Sequence, residues 1–201
     1  MGAMPGSSVV CAKAAVASFG FASFQPGDDG VVLMNIGGAK GQTIQEIRRG
    51  NPGLQGKIVL QDLQNALDQG SLPDLDAKIM PYNFVHELQP IKGAAACFYQ
   101  RIFHDWSDGN CSEILANPRP VIAKHSKLLI CDFVVPDHRP LARKMLRDTK
   151  MFLVGGMEWT PKPWATLLER NGFVIEAFHG LHNADNSIIE AHLAWRSSSA
   201  L

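Results

Sequence analysis

His104, Asp105 and Trp106 stand side by side in "IFHDWSD" (102–108), directly after the apolar run "AAACFYQRI". An imidazole titrates near pH ~6.5, so it can take a proton from a phenol or another hydroxyl near neutrality. Such a base is usually held in one tautomer by a carboxylate or a carbonyl. Two acids are candidates: Asp132, within "SKLLICDFVV", and Glu158, in the glycine-rich corner "GGMEWT". Asp105 is adjacent to the base, but on an extended strand its side chain would point to the opposite face. The alternative role for His104 is packing at a strand end, with Trp106 plugging the core. The remaining histidines show no pairing pattern and read as surface or packing residues.

A second group sits earlier in the chain. "NIGGAKG" (35–41) follows an apolar run and opens a helix-like stretch. Glycines at 37, 38 and 41 let backbone approach a ligand, and a helix N-terminus offers free N–H groups. A tight strand–helix turn would use Gly37, Gly38 and Gly41 equally well. Asp62 closes "KIVLQD" and is placed to accept hydrogen bonds from a ribose diol; its other role is to cap a helix starting near Gln64. Together they point to an adenosine-type ligand. Met145, Met151, Phe152 and Met157 could line a flat aromatic pocket, or pack as core at helical spacing.

The elements that must position these residues alternate. Strands are expected at 31–36, at 57–63, briefly within "DAKIMPYNF", at 94–103 and at 126–135, with two more in "FVIEAFHG" and "NSIIEAHLAW". Helices are expected in "GQTIQEIRRG", "QNALDQG", "GNCSEILANPRPVIAKH" (interrupted by Pro118 and Pro120), residues 141–154 and "TPKPWATLLERNG", the last capped by Thr160 with Pro161 in its first turn. The order implies an α/β fold whose last two strands pair antiparallel, with ligands at the carboxyl ends of the strands where strand order reverses.

The 201 residues suit one domain, with 28–201 as its body and 1–27 as a short leading segment. A hydrophobic fraction of 46% supports a sizeable core. Nineteen basic residues balance 19 acidic ones without a basic run, so neither nucleic acid nor a membrane surface is an expected partner. The Ala-rich start lacks the charged region of a signal peptide and is too short to span a bilayer; position 6 is Gly where myristoylation wants Ser or Thr. The four cysteines are widely spaced with no CxxC, so no metal site is expected, and Cys97 and Cys131 in apolar runs fit a reducing, cytoplasmic compartment.

"VVLMNIGGAKG", "LQDL", "FYQRIFHDWSDGNCSEIL", "LLICDFVVPD" and "GGMEWTPKPWATLLERNGF", in that order, resemble the S-adenosylmethionine-dependent O-methyltransferases, of the caffeic-acid type and, more closely, those of fungal secondary metabolism. The likeness covers about residues 21–195. It implies a Rossmann-like class I methyltransferase fold with a seven-stranded, mostly parallel sheet and an antiparallel C-terminal hairpin. It implies that Asn35, Gly37, Gly38, Gly41, Asp62, Leu63, Asn83, Phe84 and Gln100 hold S-adenosylmethionine. It further implies that His104 deprotonates a phenolic or enolic, polyketide-like acceptor while Asp132 and Glu158 orient it, with Phe103, Trp106, Met151 and Met157 against the substrate.

The sequence departs from that family at several places. Asn35 stands where Asp is usual, Ala39 where a third glycine is usual, Asn83 before Phe84 where an acid meets adenine, Gln100 where a basic residue is usual, and Asp132 in place of the longer Glu. The family's N-terminal helical domain has no counterpart here; residues 1–27 read as a remnant of its linker helix. The face left uncovered would suit a homodimer or a heteromer with a full-length relative. With the base retained and the glycine loop altered, a cyclisation, isomerisation or dehydration on the same fold is the second expectation.

Overall fold

The structure is a computed structural model, and it describes residues 19–27, 29–136, 159–181 and 186–195. Seven strands form one sheet: β1 Val31–Ile36, β2 Lys57–Asp62, β3 Lys78–Pro81, β4 Ala96–Gln100, β5 Lys127–Asp132, β6 Phe173–His179 and β7 Ser187–Leu193. Their spatial order is β3-β2-β1-β4-β5-β7-β6. The first five run parallel, while β7 is antiparallel to both neighbours. The expected antiparallel pair is therefore present, with β7 inserted between β5 and β6. Strand order reverses between β1 and β4, so the loops leaving those two strands face each other across the switch point.

All six residues of β1 are buried, as a strand covered on both faces requires. Helix α1 (Gln42–Gly50) lays Ile44 and Ile47 against one face, with Phe21, Leu33, Phe98 and Leu129. Short helix α2 (Gln64–Leu67) follows β2. Helices α3 (Asp108–Ala116) and α4 (Pro161–Arg170) bury Ile114, Leu115, Trp164 and Leu168 on the other face, against Met34, Tyr99 and Ile130. Thr160 sits at the N-cap of α4 without a side-chain cap bond, and Pro161 opens the helix.

Two strand ends differ from expectation. β4 stops at Gln100 rather than continuing to 103, because Arg101 takes a left-handed conformation (φ 54°) and a single 3-10 turn, Phe103–Asp105, follows. β5 stops at Asp132, and Val134 then bridges Trp159 in parallel. The helix expected over 141–154 lies outside the described residues. No helix among those described is long and apolar enough to cross a membrane.

Candidate active site

Two features meet at the switch point. The first is the turn after β1. Gly37 (φ 68°) and Gly38 donate their N–H groups to the Gln61 carbonyl, at 2.8 and 3.3 Å. Gly41 (φ 86°) is the N-cap of α1. A Cβ on Gly38 would fall 2.4 Å from Asn35 Nδ2 and 2.4 Å from Leu60 Cδ1; one on Gly37 would fall 2.3 Å from Ile102 Cδ1. The glycines are therefore fixed by close packing as well as by φ. Asn35, at 1% exposure, keeps both amide atoms without a hydrogen-bond partner among the described residues.

Asp62 binds this turn to the end of β2. Its Oδ2 accepts the Ala39 N–H at 2.8 Å, and its Oδ1 accepts the Leu63 N–H at 2.8 Å. Leu63 occupies the N-cap of α2 with an exposed side chain. Ala39 holds a left-handed φ of 48°. Beyond β3, the Asn83 side-chain oxygen accepts the N–H groups of Val85 and His86 at 3.2 and 3.4 Å, an Asx turn that shapes the loop. Phe84 is buried and meets Trp106 edge-on, ring centroids 6.5 Å apart. Gln100 accepts the hydroxyl proton of Thr43, which ties the end of β4 to α1.

The second feature is His104, in the 3-10 turn after β4, its side chain 7% exposed. Nδ1 lies 3.2 Å from Asp132 Oδ1, an oxygen that also accepts the Phe133 N–H at 2.9 Å. The Asp132 carboxylate therefore sets the surroundings of Nδ1. Nε2 lies 3.4 Å from Asp105 Oδ1. The turn brings Asp105 back to the base, which overturns the expectation that it points away: strand alternation has already ended at Arg101. Burial lowers the His104 pKa and Arg101 adds to that lowering, but Asp132 and Asp105 outweigh them and leave it above 6.5. Phe133 stacks on the imidazole at 6.1 Å and carries the Arg101 guanidinium 5.2 Å from its ring centre. Ser107 caps α3, and the Cys111 thiol approaches the Phe103 and Trp106 carbonyls at 3.5 Å, fastening the turn to the helix.

The remaining expected site residues divide. Phe103 is buried between Tyr99 and Trp164 and belongs to the core, while Trp106 stands beside Phe84 rather than under the base. Glu158, Met151 and Met157 lie outside the described residues. Gln61, Gln89 and Asn117 also carry contacts at the site, and none of them stands out in the sequence as a functional residue. A buried glutamine inside "KIVLQDL" was the one available signal. A cavity of about 690 Å³ beside Phe19, Phe24, Lys127 and His179 shares no residue with either feature.

The sequence profile of the O-methyltransferase domain matches residues 1–174. The chain belongs to this family. It is 32% identical over 174 residues to O-methyltransferase GME11366 of Pestalotiopsis microspora, a match that covers 83% of this chain and 42% of the relative. Among solved structures, OxaC in complex with SAH and oxaline superposes with a TM-score of 0.73 at 28% identity, covering 92% of this chain and 46% of that one. A structure described as a pericyclic reaction enzyme superposes with a TM-score of 0.75 at 27% identity, covering 89% and 48%. The chain thus spans less than half the length of these relatives.

The cleft formed by the turn, Asp62 and Asn35 has a donor set that suits an S-adenosyl cofactor. Each Asp62 oxygen accepts one backbone N–H and keeps a lone pair for a hydroxyl. The unpartnered Asn35 amide under the turn offers two donors and an acceptor, and the packed glycines hold the backbone where no side chain fits.

Proposed function

We propose that this chain carries the cofactor cradle and the base of an O-methyltransferase acting on a phenolic or enolic small molecule of secondary metabolism. The observation that supports it most is His104, buried and flanked by two carboxylates, at the same switch point as the Gly37–Gly41 turn and Asp62. When bound, S-adenosylmethionine supplies an electrophilic methyl group on a sulfonium. In this reading Asp62 holds the ribose, Asn35 and the glycine turn hold the amino-acid end, and Phe84 with Asn83 and Leu63 flanks the adenine. Gln100 braces α1 through Thr43.

His104 then accepts the acceptor's hydroxyl proton on Nε2 while Asp132 faces Nδ1 and stabilises the imidazolium that forms. Burial around the pair keeps water from competing for the base, and the fixed geometry lowers the entropic part of the barrier. Residues 28–201 form the catalytic module in this reading, with 1–27 leading into it.

One observation favours a second reading. Nε2 faces Asp105, and the raised pKa makes His104 an imidazolium over a wider pH range. A charged imidazole is an acid, suited to a cyclisation, isomerisation or dehydration on the same scaffold. Calorimetric titration with S-adenosylmethionine tests the shared premise. Binding that is lost in Asp62→Ala is expected; no binding at millimolar cofactor, or equal binding in the variant, overturns it.

A further inference from the structure

Gln61 is the penultimate residue of β2 and is 0% exposed; Gln89 lies in the β3–β4 connection and is 2% exposed. Their side-chain amides pair reciprocally. Gln61 Nε2 donates to Gln89 Oε1 and Gln89 Nε2 donates to Gln61 Oε1, both at 2.9 Å. Gln89 Oε1 also accepts the Ile91 N–H at 3.1 Å. Gln61 Nε2 also lies 3.5 Å from the Met80 sulfur, and both side chains are shut off from water, a setting in which an unpaired amide is costly and a paired one is held firmly.

The pair is continuous with both walls of the cradle. On one side, the Gln61 carbonyl accepts the Gly37 and Gly38 N–H groups. On the other, the Gln89 N–H donates to the Asn117 carbonyl at 3.2 Å, and Asn117 Nδ2 donates to the Phe84 and Val85 carbonyls at 2.9 and 3.0 Å. A two-way amide pair accepts only a narrow range of separation and orientation, because both bonds must be satisfied together. We propose that Gln61 and Gln89 are positioning residues that set the distance between the glycine turn and the Phe84 wall, and thereby the affinity for the adenosyl cofactor. The inference rests on the reading of this cleft as a cofactor site.

Methionine is close to glutamine in length and shape, so three variants test the clamp: Gln61→Met, Gln89→Met and the double. Gln61→Met leaves the Gln89 Nε2 group unpaired and should lower the melting temperature. The double variant removes both amides and should recover part of that loss, since replacing both partners is far milder than orphaning one. Affinity for S-adenosylmethionine, read by calorimetry, should fall about tenfold in Gln61→Met, the equivalent of one hydrogen bond, and should not recover in the double variant. Affinity that returns together with stability would reduce the pair to a core contact and overturn the proposal. Hydrogen exchange on the cofactor-free protein supplies an independent arm: Gly37, Gly38 and residues 84–87 should exchange faster in Gln61→Met, and unchanged exchange also overturns it. Failure of the wild-type chain to bind cofactor would instead sink the functional reading, and the exchange arm would still decide the clamp.

Discussion

Replacing Asp132 by Asn keeps the side chain's shape and an oxygen for the Phe133 N–H, but removes the charge facing His104 Nδ1. Both partners are buried, His104 at 7% and Asp132 at 1% side-chain exposure. Breaking a buried ion pair by neutralising one member typically destabilises by about 3–5 kcal/mol. The lower end applies here for two physical reasons. The imidazole can release its proton instead of persisting as an unpaired cation, and Asp105, 3.4 Å from Nε2, stays in place. A loss of about 3 kcal/mol is therefore expected under acidic conditions.

The sign with pH follows from the direction of the shift. A histidine whose folded pKa lies above its ordinary 6.5 contributes stability that is fully present below 6.5 and is lost as pH rises through the folded value. The destabilisation by Asp132→Asn should accordingly be largest near pH 5.5 and shrink to about 1 kcal/mol by pH 9, where the carboxylate faces an uncharged imidazole. Urea unfolding of both proteins across that range measures it, with His104 followed by NMR to confirm that its titration moves down. A destabilisation independent of pH, or one that grows at alkaline pH, would refute the reasoning.

Three further outcomes are expected. Asp105→Asn should move the His104 titration downward by less than Asp132→Asn does, and the effect should fade in high salt, because the Asp105 side chain is 69% exposed; an NMR titration at two ionic strengths checks this. Gly38→Ala should destabilise by about 1–3 kcal/mol through overlap with Asn35 and Leu60, and Gly38→Ala with Asn35→Ala should regain part of it, read by denaturant midpoint. Ala39→Gly should stabilise by up to about 1 kcal/mol, since relief of the left-handed φ of 48° outweighs the extra freedom glycine gains on unfolding; an unchanged or lower melting temperature contradicts that.

The parts of the fold visible in the sequence are those written in apolar continuity. β1 reads as six buried residues because both its faces are covered, and β6 and β7 read as a hairpin-like pair because only a loop separates them. The end of β4 was not legible. Nothing in "YQRIF" marks Arg101 as left-handed, a conformation usually signalled by glycine or asparagine, and without that break Asp105 is assigned to the wrong side. The types and order of His104, Asp132, the glycine turn and Asp62 mark them in the sequence, and the structure brings His104 to Asp132 and Asp62 to the glycine turn. The Gln61–Gln89 pair was not legible. A single glutamine in a strand says that a partner must exist, but choosing that partner from a loop 28 positions away requires the fold. Asn117 was hidden for the same reason: at the end of α3 it reads as a helix terminus, and its two carbonyl partners belong to another loop.

The most direct measurement is transfer of an isotopically labelled methyl group from S-adenosylmethionine to a panel of phenolic and enolic acceptors, run with the wild-type chain and with His104→Asn. Labelled methyl ether formed by the wild type, with a rate that rises with pH as His104 loses its proton and that collapses in the variant, is the expected result. Acceptor converted without label, or label transferred equally well in the absence of the His104 imidazole, would contradict the assignment of this chain as a methyltransferase with His104 as its base.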